Sequence, residues 1–282
     1  MLQTPAVVYC AIDSLISPRG RIQPGFDEFS AALDLANVPA VWVTSQTRFQ
    51  VDDPRRKIGH NHPFIAEGGC GSYLPEGYFH LRPAKTLRLG RFTCIPAAEP
   101  QPAASEALEA LSSDTGVPVV ALSSLPPREL AQNSGLPARE AELSRHHDFD
   151  EVFFFAGASD QDVARFLEEG RSRKLQLRQH GALWSLAAGA SIKACVRELG
   201  KLYDRALRYH PVSLAIALTS GTNGATSDES AELLAACDRS ILLTDPAAEG
   251  TAEQLTSGHG SRRIPLAAPD AWEQVLAAIT PR

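Results

Sequence analysis

Only a few stretches of this chain set reactive side chains in a backbone context suited to chemistry. Asp13 ends the apolar run Ala6-Val7-Val8-Tyr9-Cys10-Ala11-Ile12. A carboxylate on the loop after a buried parallel strand lies where open α/β sheets hold ligands, and Asp is equally a common turn residue. Thr44-Ser45-Gln46-Thr47-Arg48 gathers three hydroxyls and a guanidinium after a second apolar run. Two readings fit it. Hydroxyls and backbone N–H groups ahead of a helix cradle a phosphate with Arg48 as a fork, or the segment only N-caps that helix and leaves Arg48 in solvent. Thr219-Ser220-Gly221-Thr222-Asn223-Gly224 reads as an anion nest or a plain surface loop. It is not a Walker A sequence, because no Gly-Lys-Ser/Thr follows. His146-His147-Asp148 invites a metal, but immediate neighbours rarely face one ion.

Composition narrows the partners. With 44% hydrophobic and 21% charged residues, the 282-residue chain reads as globular, with one large core or two modest ones. A net charge of -6, with no Lys and Arg run longer than Arg55-Arg56-Lys57, argues against nucleic acid. Five cysteines, odd in number and without a C-x-x-C, indicate neither a disulfide framework nor a zinc site, and fit a reducing cytosol. The N-terminus lacks a basic segment followed by an apolar core. No apolar stretch approaches the roughly 20 residues of a membrane span, so the expectation is a cytoplasmic protein with no membrane partner.

The elements that must carry these residues follow from periodicity. The β-branched run through Ile12 predicts a buried central strand, 25–36 an amphipathic helix, and Ala40-Val41-Trp42-Val43 a second buried strand, so a right-handed βαβ unit is complete within about fifty residues. Pro63 to Pro75 predicts a third strand, a glycine turn and a hairpin arm. From about Arg82 to Leu177 a Pro- and Ala-rich texture marks an inserted segment, with a helix over 104–111 and a short strand over 119–122. Alternation then resumes: a helix over 193–206, a strand over 212–218, a helix over 228–236, a strand at 241–243 and a closing helix over 271–279.

Taken together, the loop at Asp13, Thr44-Ser45-Gln46-Thr47-Arg48 and Pro63-Phe64-Ile65-Ala66-Glu67-Gly68-Gly69 resemble the mannosyl-3-phosphoglycerate phosphatases, a branch of the haloacid dehalogenase (HAD) superfamily. Gly135-Leu136-Pro137-Ala138-Arg139-Glu140-Ala141 followed by His147-Asp148-Phe149-Asp150-Glu151 resembles the cap signature of the same family. The resemblance covers nearly the whole chain. It implies an α/β fold: a HAD-like Rossmannoid parallel-sheet core at 1–82 and 178–282, with an inserted α+β cap of the Cof-type (C2B) at 83–177.

The resemblance also implies chemistry. Such phosphatases open on Asp-x-Asp, where the first Asp attacks phosphorus and helps hold Mg²⁺, while the second serves as acid and base. Here the pair reads Ala11-Ile12-Asp13. Asp13 takes the acid/base position and is the one metal ligand left. Ala11 offers no lone pair, and Mg²⁺ wants several oxygens. Cys10 lies one residue earlier and on a strand faces the other way, so it reads as a core cysteine.

Thr44, Ser45, Thr47, Arg48, Glu67 and Gly68 become expected phosphate- or substrate-binding positions. So does Glu151 in the cap, with His147 standing where a basic residue is expected and Ala182 where an Arg would face the substrate. The lysine that balances phosphate charge falls on Ile192, or on Lys193 after a one-residue slip. The acids of the fourth motif are replaced by residues 219–224, and Asp228 and Glu229 read as first-turn acids of the next helix.

Three of four motifs are thus eroded while the fold-bearing segments persist. The reading is a phosphatase relative that binds a phosphorylated sugar or a protein partner without hydrolysis. The alternative is an active Mg²⁺-dependent phosphatase on mannosyl- or glucosyl-3-phosphoglycerate, and a third is a scaffold whose cleft is filled by side chains such as Leu15 and Ile192.

Overall fold

The computed structural model describes residues 6–17, 21–81, 83–134, 137–219, 227–245 and 261–279. Strand β1 (Ala6–Ala11) is buried on both faces because apolar residues occupy every position. Val8, Cys10 and Ile12 pack into one core layer and Val7, Tyr9 and Ala11 into the other, the period of two that a strand imposes. It pairs in parallel with β2 (Ala40–Val43) and with β11 (Val212–Leu218), which makes it the centre of the sheet. Helix α1 (Phe26–Leu35) joins β1 to β2, and α2 (Arg48–Ile58) leads to β3 (Phe64–Ala66). A 3₁₀ turn over Glu67–Gly69 then reverses the chain into β4 (Gly71–Pro75), followed by the hairpin of β5 (Leu87–Leu89) and β6 (Phe92–Pro96).

The excursion that follows comprises α3 (Gln101–Thr115), β7 (Val119–Ala121), α4 (Pro127–Ser134), α5 (Ala138–Leu143), β8 (Glu151–Phe155), α6 (Asp160–Ser172), β9 (Leu175–His180) and β10 (Leu183–Ala188). The chain re-enters the core through α7 (Ile192–Leu207), β11, α8 (Asp228–Ala236), β12 (Arg239–Thr244), β13 (Ser261–Pro265) and α9 (Ala271–Ile279).

Among the described residues there are two sheets. The core sheet runs β13-β12-β11-β1-β2-β3-β4-β6-β5, parallel from β13 to β3 and antiparallel beyond. Helices α1 and α9 cover one face through Phe26, Phe29, Leu33, Val275 and Ile279, while α7 and α8 cover the other through Leu199, Leu202, Tyr203 and Leu233. This is a doubly wound α/β core. The cap sheet runs β7-β8-β10-β9 and is antiparallel throughout. Alternate residues of β8 divide between two apolar clusters. Phe153 goes with α3 and α6, and Val152 and Phe154 go with α4 and α5. No helix among the described residues is long and apolar enough to cross a membrane.

Strand pairing moves the boundaries expected at 83 and 177. Residues 87–96 belong to the core sheet and 175–188 to the cap sheet, so the cap runs from α3 through β10. Composition marks where texture changes, whereas sheet membership is decided by non-local pairing that no local pattern carries.

Candidate functional site

The C-terminal ends of β1, β2 and β3 meet the N-terminus of α7 below the cap. Ala11 closes β1 in register with Val43 and is 9% exposed among apolar neighbours. Its side chain lies in the layer of Ile192 and Ala217, so no oxygen stands where an attacking carboxylate would be. Cys10 faces the opposite layer, and burial pushes its thiol up to about 12, as a core residue requires.

Asp13 is exposed just beyond the strand, and the second segment holds it firmly. One carboxylate oxygen accepts from Thr44 Oγ1; the other accepts from the Ser45 N–H and from Ser45 Oγ, both at 2.7 Å. The hydroxyls of Thr44 and Ser45 and the Ser45 N–H thus serve Asp13. Thr44 is anchored from behind, its N–H donating to the Ile65 carbonyl at 3.0 Å, which locks the loop to β3.

The rest of that segment belongs to the N-capping reading. Thr47 Oγ1 accepts from the Gln50 N–H and the Gln50 side chain returns to the Thr47 N–H, a full capping box on α2. The Thr47 hydroxyl also donates to the Leu143 carbonyl of the cap at 3.2 Å. Arg48 is neither in solvent nor at the cleft. Its Nε donates to Asp148 Oδ2 at 2.6 Å while the guanidinium rests on the Phe49 ring, so its charge ties α2 to the strand-connecting segment of the cap. Both side chains thus make contacts within the protein itself.

Glu67 is also engaged within the protein. It is buried, and its carboxyl oxygens accept from the backbone N–H groups of Asp148, Phe149 and Asp150 at 2.8 to 3.2 Å. His147 Nδ1 sits 2.5 Å from Asp150 Oδ1, its Nε2 donates to the Ser144 carbonyl at 2.8 Å, and the Tyr73 hydroxyl donates to Asp148 Oδ2. A buried polar knot therefore joins core to cap. Glu67, His147 and Asp150 offer ligand atoms within 4.8 Å of one another, a cluster that adjacency of His146 and His147 did not suggest. His146 turns away to Glu142 and the Phe49 ring. The only sequence signal for the knot is His147 and Asp150 spaced one helical turn apart.

Glu151 lies in β8 on the same side as Phe153 and Phe155, which strand alternation turns beneath α3. There it accepts from Gln101 Nε2 and Ser105 Oγ, each at 2.6 Å, and from Ser123 Oγ at 2.9 Å. It is a satisfied interior acid of the cap. Ala182, in the turn between β9 and β10, is exposed. Ile192 is fully buried, and Lys193 carries its side chain exposed on the first turn of α7. Residues 220–226, most of the expected fourth motif, lie outside the described residues; in sequence they hold no carboxylate.

Gly68 and Gly69 are required where they stand. Gly68 has φ +60 and donates its N–H to the Thr44 carbonyl at 3.0 Å. Gly69 has φ +94, and a Cβ there would come within 2.5 Å of the Ile192 backbone nitrogen. Because the obstacle is backbone, Gly69→Ala is expected to cost about 2–3 kcal/mol, read as a drop in denaturation midpoint at unchanged slope.

Sequence reasoning missed Arg178 of β9. Its side chain, 4% exposed, crosses from the cap to the core. Nη2 donates to Glu232 Oε2 at 2.6 Å, and Nη1 lies 3.8 Å from Glu229 Oε1. It also lies directly over Gly68, with Nη1 3.0 Å from the position a Cβ would take. The Mg²⁺ that the resemblance implies finds no fit at Asp13. That is a single carboxylate with both oxygens engaged, beside an alanine. The Glu67 knot does not fit either, since Glu67 already accepts from three backbone N–H groups and His147 Nδ1 is hydrogen-bonded to Asp150 Oδ1 at 2.5 Å.

No family model matches the chain. A glucosyl-3-phosphoglycerate/mannosyl-3-phosphoglycerate phosphatase from Methanococcoides burtonii is 23% identical over 181 residues, 63% of this chain and 66% of the relative. One of the same description from Persephonella marina is 23% identical over 189 residues, 66% of this chain and 67% of the relative. The match thus spans about two thirds of the length of these curated relatives.

Among solved structures, a haloacid dehalogenase-like hydrolase from Bacteroides thetaiotaomicron superposes with TM-score 0.62 at 8% identity, covering 99% of this chain and 100% of that one. A haloacid dehalogenase-like hydrolase from B. subtilis gives 0.60 at 12% identity, covering 96% and 97%. A HAD subclass IIB sugar phosphatase gives 0.57 at 11% identity, covering 98% and 96%. With a doubly wound core and an α+β cap inserted between β6 and α7, the chain shares the fold of these haloacid dehalogenase-like structures, the subclass IIB sugar phosphatase among them.

Proposed function

We propose that this chain is a binding protein derived from the phosphatase fold, one that holds a phosphorylated sugar or sugar-glycerate anion between core and cap without hydrolysing it. The observation that carries the reading is Ala11: a methyl group at the end of β1 can neither form an aspartyl-phosphate nor ligate a divalent ion. Removing a covalent nucleophile costs on the order of 10⁶ in rate in a dissected protease. Cys10 cannot substitute, facing the other core layer with its thiol pushed up to about 12. The likeness to two glucosyl-3-phosphoglycerate/mannosyl-3-phosphoglycerate phosphatases supports the ligand class. Five unpaired cysteines support a reducing cytosol as the place of action.

The test has two arms. With glucosyl- or mannosyl-3-phosphoglycerate and Mg²⁺, phosphate release is expected to stay at the uncatalysed rate, with or without EDTA. The same esters at about a hundred times their Kd are expected to stabilise the chain by about 2.7 kcal/mol, read in thermal melts. Turnover that EDTA abolishes would establish the active phosphatase instead, and melts unmoved by any such ester would leave a scaffold with a filled cleft.

A further inference from the structure

The N-terminus of α7 already holds an anion, and it comes from the protein itself. Ser191 caps this sixteen-residue helix. Glu232 Oε1, from α8, accepts from Ser191 Oγ at 3.2 Å and from the Lys193 N–H at 3.1 Å, while Oε2 takes Arg178 Nη2 at 2.6 Å. A hydroxyl, a helix N-terminal N–H and a guanidinium form the donor set of an oxyanion cradle. One carboxylate does not use all of it. Arg178 Nε and Nη1 are buried and have no hydrogen-bond partner among the described residues, the nearest acid atom, Glu229 Oε1, lying at 3.8 Å. Unpaired donors on a buried guanidinium are rare in a finished interior and mark a place where a further acceptor belongs.

The cradle adjoins the cleft. Gly68 lies against Arg178 and is bonded to Thr44, which is bonded to Asp13. Glu232 is 28% exposed, so its side chain has a way out to solvent. A phosphate monoester carries three free oxygens where a carboxylate carries two, enough to take over the donors on Ser191, Lys193 and Arg178 and to reach one of the unpaired nitrogens as well.

We propose that Arg178, delivered by the cap, is the residue that neutralises the ligand's phosphate in this chain, and that Glu232 is its internal stand-in, displaced when the ligand binds. The inference rests on the binding reading above and names the site's cation and its competitor. Ile192, buried where a core lysine would be expected, leaves that duty to the cap. One consequence is that the ligand-free chain is held shut, because the Arg178–Glu232 pair bridges β9 of the cap and α8 of the core. Another is that affinity is lowered by the internal occupant.

Titration calorimetry with inorganic phosphate and with glucosyl-3-phosphoglycerate, on the full chain, decides the matter. Glu232→Gln removes the competing charge and keeps the side chain's length, and is expected to bind phosphate about tenfold more tightly than the unaltered chain. Arg178→Met is expected to abolish binding in either background, while Arg178→Lys recovers part of it. Should Arg178→Met fail to fold, Glu232→Gln alone still decides: unchanged phosphate affinity overturns the proposal. Equal binding of glucosyl-3-phosphoglycerate by all variants would sink the Arg178 assignment and leave the ligand reading standing, whereas no binding by any of them, Glu232→Gln included, would sink both.

Discussion

Glu67→Ala is expected to destabilise the chain by about 3–5 kcal/mol, enough to unfold a marginal domain. The carboxyl group satisfies three consecutive backbone N–H groups, that of half-buried Asp148 and those of buried Phe149 and Asp150. Alanine would leave those donors with no acceptor and no water, and would open a cavity beside His147. Glu67→Gln keeps one acceptor oxygen and should lose less. Urea denaturation of the three proteins measures the order, and near-equal midpoints would show that the knot does not hold cap to core.

The same knot makes stability depend on pH. Burial, reinforced by the charge of Asp150, pushes the Glu67 carboxyl up to about 8 from an ordinary 4.5. Burial opposes the charge of His147, but Asp150 beside it prevails and carries the imidazole up to about 10 from 6.5. Both groups bind a proton more tightly folded than unfolded, so their stabilisation is full below the unfolded values and is lost as pH rises through the folded ones. Loss begins near pH 4.5 for Glu67 and near 6.5 for His147, and ends near 8 and 10 respectively. Asp150, held low by His147, works in the opposite sense and only in acid. Through these two groups stability should therefore fall between pH 6.5 and 8, where the folded chain approaches two extra bound protons, each worth about 1.4 kcal/mol per pH unit. Glu67→Gln should roughly halve that slope; a flat profile in the unaltered chain would refute the raised proton affinity of Glu67 and His147.

What the sequence disclosed follows the range of the physics. Strands β2 and β11 and helices α8 and α9 fall where periodicity places them, because burial on one or both faces is written in local apolar spacing. The β9–β10 hairpin was not read, since Leu175–His180 alternates apolar with polar residues that make sense only against β10 and the cap helices. The same limit governs the site. Asp13, Thr44 and Ser45 stand out in the sequence because they follow strands, and Ala11 because its neighbours fix the alignment. Arg48, Glu67 and Glu151 carry the charges that ligand binding would want, yet their partners lie 50 to 100 residues away, at Asp148, at the backbone of 148–150 and at Gln101. Charge type was readable and charge assignment was not. Arg178 shows the converse, a cation inside an ordinary strand whose function appears only once the cap is folded over Gly68.

Restoring the missing carboxylate should not restore a phosphatase. Ala11→Asp is expected to remain without Mg²⁺-dependent phosphate release and to lose about 2–4 kcal/mol of stability, because an acid at a 9% exposed position enters a layer occupied by Ile192 and Ala217. The new group would find Asp13 already bonded to Thr44 and Ser45, Ile192 buried and Lys193 exposed at the start of α7, and the anion cradle filled by Glu232. A nucleophile gains its advantage only when phosphate charge is neutralised and the leaving oxygen is protonated in the same geometry, so a single carboxylate recovers little of a loss on the order of 10⁶. Phosphate release from glucosyl-3-phosphoglycerate by Ala11→Asp, with a thermal melt of the same preparation, gives the result. Robust metal-dependent turnover would mean that the pocket had kept everything but its attacking oxygen, and that Arg178 or Lys193 already does the work of the lost lysine.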